Sequence, residues 1–194
     1  DFVRKNPDLK QARVTLEFYI ISGGLEEMIR ATKVESEIDG IFGCNFAYDK
    51  TGKAMGIKSA ISFTEKTRYV HGIRKGIDVA ELRNNPYRIN DSISVDMQRI
   101  PFSHMIYIGD GPSDIPCLSA VRSSGGTGIG VSASYGTFKK GYELARGDRI
   151  TVGPYTANYK KGSDMRKVLE ETILRIGLEI DIEKRKNVVR APGH

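Results

Sequence analysis

A chain of 194 residues, 39% hydrophobic and 28% charged, is long enough for one sizeable core, and this composition excludes a disordered tail or a collagen-like rod. Thirty lysines and arginines against 24 aspartates and glutamates leave a net charge of +6, which suits an anionic partner. The basic residues lack interleaved aromatics for stacking on bases, so nucleic acid is not expected, and no apolar run approaches the roughly 18 residues of a membrane span.

The first fifteen residues are polar and read as a helix leading into Leu16 to Ile21, a short apolar and aromatic run that suits a buried strand stopped by Ser22-Gly23-Gly24. Leu25 to Val34 then places Leu25, Met28, Ile29 and Thr32 at helical spacing, with Glu26 and Glu27 in the first turn. Ile41 to Tyr48 and Ala54 to Phe63 read as strands flanking the turn Asp49-Lys50-Thr51-Gly52, a β-hairpin excursion near 41–63. Thr64 can cap a helix from Glu65 to Lys75, closed by Gly76.

Asn84 to Arg99 is polar and reads mostly as loop. His104 to Ile108 is a second buried-strand candidate, ending in Gly109-Asp110-Gly111-Pro112-Ser113-Asp114 and followed by a helix carrying Ile115, Leu118, Ala120 and Val121. Thr127 to Val131 and Arg149 to Val152 read as strands with a helix around Thr137 to Ala145 between them. An amphipathic helix from Ser163 to about Ile176 follows, and 183–194 reads as a flexible basic tail. Alternating strands and helices predict one α/β domain over 1–194, a mostly parallel sheet with helices on both faces.

In such sheets ligands bind beyond the carboxyl ends of strands. Ser22 with Gly23, Lys66, and Asp110 with Asp114 fall near such ends or at helix starts, and supply a hydroxyl, an amide-rich turn, an ammonium and two carboxylates. That set fits magnesium-assisted phosphoryl transfer, where catalysis is mainly positioning and electrostatic stabilisation. Asp110 and Asp114 would serve the metal, Ser22 and Gly23 one phosphate oxygen, and Lys66 another. Taken alone, Ser22 also reads as a helix N-cap, Lys66 as a surface lysine, and the aspartates as a capped turn.

Phe18-Tyr19-Ile20-Ile21-Ser22-Gly23-Gly24, Thr64-Glu65-Lys66-Thr67 and Ile106-Tyr107-Ile108-Gly109-Asp110-Gly111-Pro112-Ser113-Asp114 resemble the second, third and fourth motifs of the haloacid dehalogenase-like hydrolases, in that family's order. The phosphoserine-phosphatase-like branch is the most similar, over roughly Leu16 to Asn158. The resemblance implies a Rossmann-like core, Mg²⁺ dependence, an aspartyl-phosphate intermediate and a small phosphorylated metabolite as substrate. Under it Ser22 and Gly23 inherit phosphate binding, Lys66 the charge-linking role, and Asp110 and Asp114 the metal site. Ser113 stands where phosphoserine phosphatases usually carry Asn, which argues against phosphoserine itself.

No apolar strand followed by Asp-x-Asp lies upstream of Ser22, so the family's nucleophile strand and its cap are expected outside these 194 residues. The chain alone is then inactive. The alternative is a noncatalytic phosphate-binding or regulatory module on the same fold. Asp49-Lys50-Thr51-Gly52 matches the phosphorylation sequence of cation-pumping ATPases but reads as the hairpin turn. Gly128-Ile129-Gly130-Val131-Ser132-Ala133 fits a dinucleotide fingerprint, yet its glycines fall within a strand.

Cys44 and Cys117 show no CxxC spacing, which points to neither zinc nor a disulfide framework and suits a reducing cytoplasm. The start Asp1-Phe2-Val3-Arg4-Lys5 lacks the basic-then-apolar order of a signal peptide. His71 and His104 read as packing or surface residues.

Overall fold

The computed structural model of the chain describes residues 2–134 and 138–189. Two short helices, α1 (Phe2–Lys5) and α2 (Pro7–Gln11), precede β1 (Tyr19–Leu25), α3 (Glu26–Arg30), β2 (Gly40–Tyr48) and β3 (Ala54–Ser59). Helices α4 (Phe63–Lys75) and α5 (Val79–Asn84) lead to β4 (Ile106–Gly109), α6 (Ile115–Ser123), β5 (Thr127–Ser132), α7 (Phe138–Ala145), β6 (Val152–Thr156) and α8 (Asp164–Val189). This is an α/β architecture with mainly parallel strands.

The strands form two sheets of three rather than one continuous sheet. In the first, β1 runs parallel to β2, and β2 turns back on β3 as the expected hairpin. In the second, β4, β5 and β6 are all parallel. Helices cover both faces. Phe42 of β2 packs on Tyr69 and Ile73 of α4, while α3 lies against the other face at Gly43. In the second sheet Tyr107 packs with Leu118 of α6 and Leu144 of α7, whereas Ile106, Ile129 and Val131 meet Met165 and Val168 of α8.

One helical layer spans both sheets. Ile21 of β1 and Tyr107 of β4 pack beneath a shared cluster of Val70 from α4 with Cys117 and Val121 from α6. The sheets therefore lie side by side, and among the described residues no strand pairs with the outer edge of β1 or of β4.

Several boundaries differ from expectation. Ser22-Gly23-Gly24 does not stop the first strand but bulges within it, since Ile21 pairs with Phe42 and the next partner pair is Leu25 with Cys44. Helix α3 is five residues long, because the Thr32 hydroxyl bonds the Ile29 carbonyl at 2.6 Å and closes its last turn. The sixth strand starts at Val152, where Arg149 had been the expected start; Ile150 instead packs from the loop onto Leu118. Within 84–99, 3₁₀ turns occupy Pro86–Asn90 and Val95–Met97.

The expected flexible tail is helical over 183–189, because α8 runs through Gly177 to Val189. A Cβ at Gly177 would lie 2.1 Å from Leu9, so this glycine admits α2 against the helix rather than ending it. Lys184 Nζ donates to the Ala12 carbonyl at 2.7 Å, which ties the basic stretch to the segment after α2, and Arg185 pairs with Asp181 at 2.7 Å within α8. Residues 190–194 and Thr137 lie outside the described residues. Among the described residues no helix is long and apolar enough to cross a membrane.

Leu118 is fully buried between the second sheet and α7. Leu118→Ala is expected to lower the unfolding free energy by about 2–5 kcal/mol in urea denaturation. A loss below about 1 kcal/mol would contradict this packing.

Candidate functional site

The first turn of α4 aims one ammonium into the protein. Ser62, rather than Thr64, occupies the N-cap position, with Glu65 Oε2 accepting from the Ser62 amide at 3.4 Å. Lys66 follows on the inner face, 7% exposed. Its Nζ lies 2.8 Å from Asp114 Oδ1 and 3.2 Å from Ser113 Oγ, in the loop after β4. Asp114 is itself buried, and Tyr107 donates its hydroxyl to the same Oδ1 at 2.9 Å. Asp114 Oδ2 accepts from the amides of Asp110 at 3.1 Å and Gly111 at 3.3 Å.

This buried network rigidifies the Gly109–Asp114 turn, because each Asp114 oxygen holds two donors. Burial, with Cys117 and the Asp114 carboxylate beside it, pushes the Tyr107 phenol well above its ordinary range, so it stays a donor. Burial pushes the Cys117 thiol up to about 11, which leaves it protonated and non-nucleophilic at neutral pH.

Asp110 is different. Its side chain is exposed and lines a groove of about 390 Å³ that runs between the two sheets. Ile20 and Ile21 of β1 form one wall, and Ile108, Val131 and Tyr159 stand on the other side. Tyr159 follows β6, and its phenol is raised by burial and by the charge of Asp110.

Ser22 lies in the β1 bulge, where its Oγ accepts from the Gly24 amide at 3.0 Å and leaves the hydroxyl proton available to an anion. Cys44 Sγ joins this bulge to the start of α4, donating to the Gly23 carbonyl at 3.3 Å and accepting from the Ile61 amide at 3.2 Å. Cys44 thus ties the Ser22–Gly23 bulge to the segment entering α4, the helix whose Lys66 meets Asp114. Among the expected site residues only Asp110 lines the groove, with Lys66 and Asp114 buried behind its loop. The expected helix dipole behind Ser22 is weak, since α3 has five residues with Glu26 and Glu27 in its first turn.

Tyr107 lies inside the Ile106–Asp114 motif string without a role assigned to it, and Tyr159 lies in no motif. Alternation along β4 would have placed Tyr107 on the face of Gly109 and toward α6. No sequence signal marks Tyr159. Among the described residues no group of three or more His, Cys, Asp or Glu side chains is placed to hold a metal. Asp110 is thus a single free carboxylate, and both oxygens of Asp114 are already engaged.

The competing motifs have structural explanations. Asp49 Oδ1 accepts from the Thr51 amide at 2.8 Å, the Thr51 hydroxyl at 2.6 Å and the Lys53 amide at 3.0 Å, which closes the hairpin turn. Gly128 and Gly130 lie within β5, where a Cβ would come within 3.3 Å of Leu118 and of Ile150, so they admit close packing beneath α6 and α7. His71 stacks edge-on against Phe102 at 5.1 Å, and burial lowers its pKa.

Comparison with known proteins finds no matching family model and no matching solved structure. An uncharacterised protein of Borreliella burgdorferi is 26% identical over 187 residues, spanning 87% of this chain. The chain spans 61% of that relative's length.

Proposed function

We propose that this chain is the phosphate- and metal-binding part of a phosphomonoesterase of the haloacid dehalogenase-like kind, completed by a strand between β1 and β4 that bears the attacking carboxylate. The groove carries this reading: two strand edges that are unpaired among the described residues flank it, and its one exposed lining carboxylate, Asp110, stands at the end where Lys66 is held. A parallel strand there would merge the sheets into one Rossmann-like sheet and bring its carboxyl end to Asp110. The 39% of the Borreliella relative that this chain does not span leaves length for such a segment (100% minus 61%).

The donor set fits Mg²⁺ through Asp110. This ion takes oxygen ligands, keeps several waters, and needs only one or two protein carboxylates beside a substrate phosphate. Bound there, it would neutralise charge developing on the phosphoryl oxygens. Asp114 does not fit as a direct ligand, because four donors already fill its oxygens. It is a positioning residue that fixes Lys66 and the backbone of the Asp110 turn.

Lys66 has three N–H donors, of which Asp114 and Ser113 take two, leaving one for a non-bridging phosphate oxygen. The Ser22 hydroxyl supplies another donor. With the phosphate so oriented, the incoming carboxylate oxygen bonds to phosphorus as the ester P–O bond breaks and the leaving oxygen takes a proton. Water then cleaves the acyl phosphate to release inorganic phosphate. Substrate is a small phosphomonoester in the cytoplasm.

Release of phosphate from p-nitrophenyl phosphate with Mg²⁺ tests the reading. The polypeptide that includes the completing strand is expected to turn over, and the 194-residue chain by itself is not. Turnover by the chain alone would contradict the missing-strand account, and phosphate binding without turnover in the complete polypeptide would identify a noncatalytic module. Asp110→Asn is expected to lower kcat by about 10²–10³-fold; an unchanged kcat would remove Asp110 from the mechanism.

A division of labour between the aspartates is expected in stability. Asp114→Asn leaves Lys66 buried without a counter-charge and is expected to cost about 3–5 kcal/mol in urea denaturation. The exposed Asp110→Asn change is expected to stay within about 0.5 kcal/mol. Equal losses would contradict the assignment.

A further inference from the structure

We infer that the ligand of this site carries negative charge beyond a single phosphate, as a phosphate ester whose leaving group bears a second phosphate does. This rests on the phosphate-site reading above and adds a substrate class to it. The observation is a set of ammonium groups toward the carboxyl ends of both sheets that pair with no acid among the described residues.

The hairpin reaches past the site. The last β1 partner on β2 is Cys44, paired with Leu25, yet β2 continues to Tyr48. At about 3.3 Å per residue this carries the hairpin roughly 13 Å beyond the paired part of β1. Lys50 and Lys53 at its tip and Lys58 on β3 are exposed. Asp49, the one acid within 40–59, has its Oδ1 committed to the turn.

A second arm comes from the other sheet. Lys160 and Lys161 follow Tyr159, which lines the groove with Asp110. Their turn is preformed: the Ala157 amide donates to the Ser132 carbonyl at 2.8 Å, and Ser163 Oγ donates to the Asn158 carbonyl at 2.6 Å. Among the described residues none of these five lysines is paired with an acid. Apart from Asp110 in the groove, carboxylates near the arms already have partners: Glu27 with Tyr48 at 3.2 Å, Glu65 with Arg68 at 3.7 Å, and Asp164 with Lys167 at 3.9 Å.

Exposed charges of one sign around a cleft concentrate counter-charged ligands there, and they act within about one Debye length, roughly 8–10 Å. One phosphate held by Lys66 leaves both arms uncompensated. A second anionic group that extends from the held phosphate toward either arm would gain from their field, whereas a neutral leaving group would gain nothing from them.

Calorimetric titration of the full chain with inorganic phosphate and with pyrophosphate, in 50 mM salt without metal, tests this. Pyrophosphate is expected to bind at least 10-fold more tightly than phosphate. The fivefold variant Lys50→Ala, Lys53→Ala, Lys58→Ala, Lys160→Ala, Lys161→Ala should remove that preference and leave phosphate affinity within twofold. Equal affinity for the two anions, a preference that survives the variant, or no binding of either anion would overturn the inference. A single-stranded oligonucleotide that binds more tightly than pyrophosphate would also overturn it, in favour of a polymeric ligand. Lys66→Gln separates the two levels: phosphate affinity unchanged in that variant counts against the phosphate-site reading, while Lys66-dependent phosphate binding without any pyrophosphate preference counts against the basic arms alone.

Discussion

The Lys66–Asp114 contact joins two halves of the fold that share no strand pairing. Lys66 belongs to the helix entered from the hairpin of the first sheet, and Asp114 closes the turn that ends β4 in the second. Two buried charges are costly to desolvate, so such a pair is retained for what it positions more than for net stability. Here it positions the Asp110 backbone, the Ser113 hydroxyl and one spare ammonium proton within a single turn.

That constraint shapes the groove. Burying Asp114 turns its carboxylate inward, and the neighbouring Asp110 carboxylate remains exposed where the two sheet edges face each other. Two aspartates four residues apart thus do different work. One is a structural anion with filled oxygens, and the other is open to a cation or a substrate. The apolar edges of Ile20, Ile21 and Ile108 suit an extended apolar segment better than a soluble metabolite, which is why the groove reads as the place of a strand with the chemistry at its end.

Much of this was legible in sequence where a strong local pattern coincided with tertiary demand. His104 to Ile108 followed by Gly109-Asp110-Gly111 announces a strand and a tight turn, and the alternating order of elements announces α/β layering. The Asp49-Lys50-Thr51-Gly52 hairpin was equally clear, because the turn satisfies itself. Glycine misled where Gly23 and Gly24 bulge inside a strand, and Gly177, just past the expected helix, sits within α8 to admit Leu9. Pairs such as Arg175 with Glu179 at 2.6 Å carry α8 onward, a weak local signal that packing against α2 completes. The opposite fates of Asp110 and Asp114, and the presence of Tyr107 and Tyr159, depend on long-range placement that no single window contains.

Hydrogen exchange at the amides of β1 and β4 tests the central claim most directly, by comparing the 194-residue chain with the longer polypeptide that supplies the proposed strand. The account predicts that amides in both strands, Tyr19–Leu25 and Ile106–Gly109, become more protected in the longer polypeptide, as both open edges gain a hydrogen-bonded neighbour. Identical exchange in the two proteins would show that nothing pairs in the groove and would contradict it.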